Sequence, residues 1–173
     1  MRKFGTGMSG TGAGLAILGF ALASSTAAQD LSYSNRATEE CLSGSASGAE
    51  MSDCIGASAT ACMEDTPGGF STVGMGGCID RELSYWDARL NDVYGEVRAE
   101  ARELDRDKFK GAPSQADALR DMQRAWIAFR DATCAYEASQ WGGGTGAGPA
   151  FLGCLMRLSG EQTLYLESSG LGG

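Results

Sequence analysis

The sequence predicts an all-α fold: a disulfide-stapled antiparallel bundle of three main helices with a short cross-linked helical cap at its N-terminal side. Three observations predict it. Long stretches place apolar residues at spacings of three and four, which puts them on one face of a helix. No run alternates polar and apolar residues as a half-buried strand does. Six cysteines, an even number, suit internal disulfides in an exported chain.

Export is read from the first residues. Arg2 and Lys3 form a basic start, and Leu15 to Ala23 is an apolar run too short to span a bilayer. Small residues then lead to Ala28, so residues 1–28 are expected to be a signal peptide, cleaved after Ala28. No cysteine lies near that site, and no lipid anchor is expected. No second apolar stretch follows, so no membrane insertion is expected either. The expected location is periplasmic or secreted. Losing Arg2 and Lys3 moves the net charge from −8 to −10. That balance argues against nucleic acid and anionic membranes, and favours a basic partner or simple solubility. The remaining chain, about 145 residues, fits one domain.

Residues 29–77 are rich in Gly, Ser and Ala and poor in bulky apolar side chains. Two short helices are expected, about 34–43 and 49–63, with a turn at 43–48 and a loop from Thr66 to Gly77. So small a core needs cross-links. Six cysteines allow 15 connectivities. Adjacency across single loops favours Cys134–Cys154, Cys62–Cys78 and Cys41–Cys54, while Cys41–Cys62 and Cys54–Cys78 compete for the last two.

The first long helix is expected over 78–105, where Leu83, Trp86, Leu90, Val93, Val97, Ala101 and Leu104 form the stripe. Lys108 to Pro113 breaks it. Ser114-Gln115-Ala116-Asp117 resembles a capping box and starts a second helix to about Ser139. Its stripe is Leu119, Met122, Trp126, Phe129, Thr133 and Tyr136. Residues 141–148 form a Gly-rich connection, and Pro149 suits the first turn of a third helix. Phe151, Leu155, Leu158, Gln162 and Tyr165 give that helix its stripe, and residues 168–173 are expected to fray.

Catalytic signals are sparse. With no histidine there is no Ser-His or Cys-His pair and no usual zinc site, and oxidised cysteines supply no nucleophile. The acids are dispersed. The glycines at 142–148 lack the Gly-Lys-Ser/Thr ending of a phosphate loop. No enzyme, cofactor or metal is expected. Arg130 lies one position past the stripe, one turn after Trp126, and is expected to pair with a carboxylate such as Asp87 and stack on a ring, with Asp131 beside it. Trp86, Tyr94, Trp126 and Phe129 read as core. Asn91 and Tyr94 are expected to fix the contact between the first two long helices. A Cys134–Cys154 bridge closes a loop of about 20 residues, worth roughly 3 kcal/mol of loop entropy. It would restrain Trp141, a candidate partner contact.

Three segments, taken in order, resemble a known family. They are Trp86-Asp87-Ala88-Arg89-Leu90-Asn91-Asp92-Val93-Tyr94, then Gln123-Arg124-Ala125-Trp126-Ile127-Ala128-Phe129-Arg130-Asp131-Ala132-Thr133-Cys134, then Phe151-Leu152-Gly153-Cys154-Leu155. The words Leu-Asn-x-x-Tyr and Gln-Arg-x-Trp-x-x-x-Arg-Asp-x-x-Cys are fairly specific together and weak apart. The chain is similar over roughly residues 78–167 to the N-terminal domain of the LprI-type lysozyme inhibitors, small secreted helical domains. Residues 29–77 depart from that pattern. The resemblance implies inhibition of lysozyme in the cell envelope. Animal lysozymes are strongly basic and would be steered to an acidic bundle, and occlusion of the glycan cleft would be steric. The alternative is a periplasmic structural or adaptor module without lysozyme affinity. An acidic patch beside an exposed aromatic loop would favour the inhibitor, and scattered charge the module.

Overall fold

The computed structural model describes residues 30–169, which form six helices and no strand. These are α1 (Arg36–Gly44), α2 (Gly48–Ser52), α3 (Ala57–Asp65), α4 (Thr72–Arg106), α5 (Gln115–Ser139) and α6 (Ala147–Ser169). The expected signal segment over 1–28 and the tail beyond Ser169 lie outside the described residues.

The three long helices form the bundle, with α6 at its centre. Contacts climb α4 and α6 together, from Asp87 with Ser159 to Arg89 with Glu167. They descend α5 as they climb α6, from Cys134 with Cys154 to Gln123 with Gln162. The core follows this path in three clusters. Ala59, Leu83, Trp86, Met156 and Leu164 pack where the cap meets the bundle. Leu90, Val93 and Leu166 meet Leu119, Met122 and Trp126 further along. Cys134, Cys154 and Leu158 pack with Trp126 and Phe151 around the staple.

Disulfides join Cys41 to Cys54, Cys62 to Cys78 and Cys134 to Cys154, and no cysteine is free. The first two tie α1 to the turn after α2, and α3 to α4. One bridge therefore ties the small-residue cap together, and the other fixes it on the bundle alongside its modest apolar area.

Several expectations need correction. The helix expected over 49–63 is two helices, parted at Gly56, whose φ of 100° no other residue adopts cheaply. The expected loop to Gly77 ends early, because Ser71 caps α4 by accepting from Gly74 N–H at 3.1 Å. On α5, Phe129 and Tyr136 are 59% and 68% exposed, so the inward face runs instead through Leu119, Met122, Gln123, Trp126, Arg130 and Cys134. The aromatic residues pulled the expected stripe one position off. Leu104 and Tyr165, both expected inside, are 45% and 55% exposed. On α6 the expected stripe is too narrow: Met156, Ser159, Gly160, Thr163, Leu164 and Leu166 are buried too, because α2 and α4 cover faces that α5 leaves open.

Candidate partner-contact surface and its supports

Two polar hubs fix the geometry on which any contact surface rests. The first is Glu82, fully buried in α4. One carboxylate oxygen accepts from the Thr38 hydroxyl at 2.9 Å, Gly56 N–H at 2.8 Å and the Trp86 indole N–H at 3.1 Å. The other accepts from Ala59 N–H at 2.6 Å. Thr38 in turn accepts from Ser58 N–H at 3.1 Å, and Ser58 accepts from Thr38 N–H at 3.0 Å. The first-turn amides of α3, which have no partner inside their own helix, are thus capped by residues of α4 and α1. Negative charge at a helix N-terminus is favourable, which helps the fold carry a buried acid without a basic partner. Nearby Tyr33 has a buried, unpartnered hydroxyl, and its phenol is pushed well above the ordinary tyrosine range by burial and by the charge of Glu82.

The second hub is Arg130. Its guanidinium lies 5.1 Å from the Trp126 ring centroid. Nη1 donates to the Ser159 hydroxyl at 3.3 Å and lies 3.5 Å from Asp87, while Nε donates to Asp131 at 3.0 Å. Ser159 donates to Asp87 at 2.9 Å, so α4, α5 and α6 meet in one network. The arginine side chain is only 19% exposed, and its stem covers apolar surface while the planar head is satisfied on its edges.

Trp86 is fully buried and Leu90 nearly so. Asn91 is exposed and Tyr94 half-buried. Both line a cavity between α4 and α5, with Gln123 and Arg124 on its other wall. Tyr94 also packs with Leu119, Met122 and Trp126.

Trp141 follows α5 directly. Gly142 and Gly143, with φ of 56° and 82°, turn the chain back, and Gly144 N–H donates to the Trp141 carbonyl at 2.9 Å. The indole lies against the Cα of Gly146, where any Cβ would meet its ring. Trp141 is 55% exposed yet held in place, a few residues from the Cys134–Cys154 bridge. Phe129 and Tyr136, seven residues apart, share the outer face of α5 leading to it. Glu137 is the acid nearest in sequence, and it pairs with Arg157 at 3.0 Å. Along the chain the acid excess falls in the cap: residues 30–65 carry seven acids against Arg36 alone.

Sequence reasoning missed Glu82 and the exposed aromatic face. An acid four residues before a core tryptophan, inside an apolar stripe, is the signal that marks Glu82. Among the described residues no group of acids and cysteines is arranged to hold a metal ion, and no helix is long and apolar enough to cross a membrane.

The fold and its supports define a small disulfide-stapled helical domain. The family model of lysozyme inhibitor LprI matches residues 62–166, and the chain belongs to that family. The match takes in Cys62 as well as the segment from Cys78 onward. A relative, an uncharacterized 17.7 kDa protein in the puhA 5′ region of Rhodobacter capsulatus, is 29% identical over 139 residues, 78% of this chain and 85% of that protein. An uncharacterized protein of Rhizobium meliloti (strain 1021) is 31% identical over 96 residues, 52% of this chain and 67% of that protein. No solved structure matches the chain significantly.

Proposed function

We propose that this protein is exported behind a signal peptide over residues 1–28 and inhibits lysozyme in the periplasm or outside the cell, by steric occlusion of the glycan cleft. Membership of the LprI family supports the activity. The observation that carries the contact is Trp141, a half-exposed indole held on Gly146 within the loop that the Cys134–Cys154 disulfide closes. Rigid aromatic side chains lose little entropy on binding, and they dominate the energetics of protein interfaces. Phe129 and Tyr136 extend the surface. The acidic cap steers a basic lysozyme towards the molecule without itself forming the contact.

A second reading, an envelope adaptor module without lysozyme affinity, draws support from one observation. Along the chain the acid excess lies in the cap, and the acid nearest Trp141 in sequence, Glu137, is already paired with Arg157. Turbidity loss of peptidoglycan under c-type, g-type and i-type lysozymes separates the two. Dose-dependent inhibition by the oxidised protein, weakened by salt, supports the inhibitor. No effect on any type, with the three disulfides intact, leaves the adaptor.

A further inference from the structure

The cavity between α4 and α5 is basic in a protein that is acidic. Asn91, Tyr94 and Arg98 line it from α4, spaced three and four apart on one face. From α5 it is lined by Arg120 and, three and four positions on, Gln123 and Arg124, and Ile127 adds an apolar wall. Its volume, about 270 Å³, suits a very small ligand. Every polar lining side chain has a hydrogen-bond donor to offer, and no carboxylate is among them.

The donors are also largely unspent. Arg98 and Arg124 form no salt bridge within 4 Å among the described residues, although Arg124 lies near enough to Asp121 to help hold its carboxyl below the ordinary range, and the buried Nε of Arg98 has no hydrogen-bond partner. The Gln123 oxygen is engaged by the Gln162 amide at 3.0 Å, which leaves its NH2 end for the cavity. Arg120 is held by Asp117 at 2.6 Å and Asp121 at 2.9 Å, so it adds geometry more than net charge. Gathering Arg98, Arg120 and Arg124 costs like-charge repulsion, and an orphaned buried donor costs more. An anion between the helices would offset the repulsion and offer the arginines an acceptor.

We propose that this cavity binds a carboxylate carried by a small apolar group, as at the end of a peptide. A planar carboxylate matches a guanidinium fork in two parallel hydrogen bonds, and the amides of Asn91 and Gln123 reach its outer lone pairs. The Tyr94 ring and Ile127 receive the apolar substituent. The site stands apart from Trp141 and does not depend on lysozyme binding.

The test is NMR titration of the full oxidised chain at low salt with N-acetylalanine, acetate, N-acetylalanine amide and inorganic phosphate. N-acetylalanine is expected to give saturable shifts at the side-chain amides of Asn91 and Gln123, and its uncharged amide none. N-acetylalanine is expected to bind more tightly than acetate, and equal binding would overturn the apolar part of the assignment. R98Q and R124Q are each expected to weaken binding about tenfold or more, as loss of a charge-assisted hydrogen bond does. R157Q, outside the cavity, should leave it unchanged. Circular dichroism checks that each variant is folded, and exposed Arg124 keeps the test open if R98Q unfolds. Absence of saturable shifts, binding that R124Q does not weaken, or phosphate binding tighter than either carboxylate would each overturn the assignment.

Discussion

Glu82 accepts the indole N–H of Trp86 at 3.1 Å, one turn further along α4, with both side chains fully buried. Three further donors converge on the same carboxylate. A glutamine at this position turns one acceptor into a donor and points it at N–H groups, which cannot accept. E82Q is therefore expected to destabilise the fold by about 3 kcal/mol, through donors left buried and unpaired. Urea unfolding followed by tryptophan fluorescence measures it. A loss below about 1 kcal/mol would mean that the cap tolerates rearrangement and that Glu82 is not its anchor.

The bundle was legible because its long helices carry strong 3-4 patterning and local caps. Ser114 accepts from Asp117 N–H at 3.1 Å, as its sequence context implies, although Asp105 rather than Asp117 supplies the carboxylate. The cap was less legible because its decisive contacts are long-range. The amides of α3 are capped by a residue 23 positions away, and no local rule reports that. The inward face of α5 was misread for a different reason. Arg130 and Cys134 face the core through a charge network and a disulfide, while Phe129 and Tyr136 face out. Hydrophobicity alone ranks those four residues in the wrong order.

Arg130 joins three helices through a planar head that stacks on Trp126 and bonds along its edge. Lysine keeps the charge but loses the fork and the stack. R130K is expected to cost about 1–3 kcal/mol, nearly as much as R130M. Thermal unfolding of both variants decides this. If R130K matches the parent protein while R130M does not, charge alone matters and the stacked geometry does not.

The Cys134–Cys154 bridge spans 20 residues, the longest separation of the three. Loop entropy assigns it roughly 3 kcal/mol. Replacing both cysteines by serine should lower stability by about that amount and speed amide exchange across residues 141–148. Exchange that stays slow in the double variant would show that packing of Trp141, not the bridge, orders the turn.

Gly146 offers a way to move the indole without removing it. Any Cβ there meets the Trp141 ring. G146A should displace the side chain, red-shift its emission and cut lysozyme inhibition about as far as W141A does, with both variants folded. If G146A moves the indole but inhibition survives, Trp141 is not the contact and the proposed surface fails.

Acid should loosen two helix starts first. The Ser114 hydroxyl and the Gln115 N–H hold the Asp105 carboxyl below its ordinary 3.8. The N–H groups of Ala46 and Ser47 and the Ser47 side chain do the same for Glu50, whose ordinary value is 4.5. A carboxyl whose folded value is depressed contributes stability that is complete above the unfolded value and is lost as pH falls through the folded one. The window therefore opens below about pH 4 and extends downward. Urea midpoints measured from neutral pH into acid should fall through that range in the parent protein. D105N, which cannot titrate at the α5 start, should be less stable at neutral pH and show a shallower decline. An unchanged acid slope in D105N would place the acid sensitivity elsewhere than the α4–α5 turn.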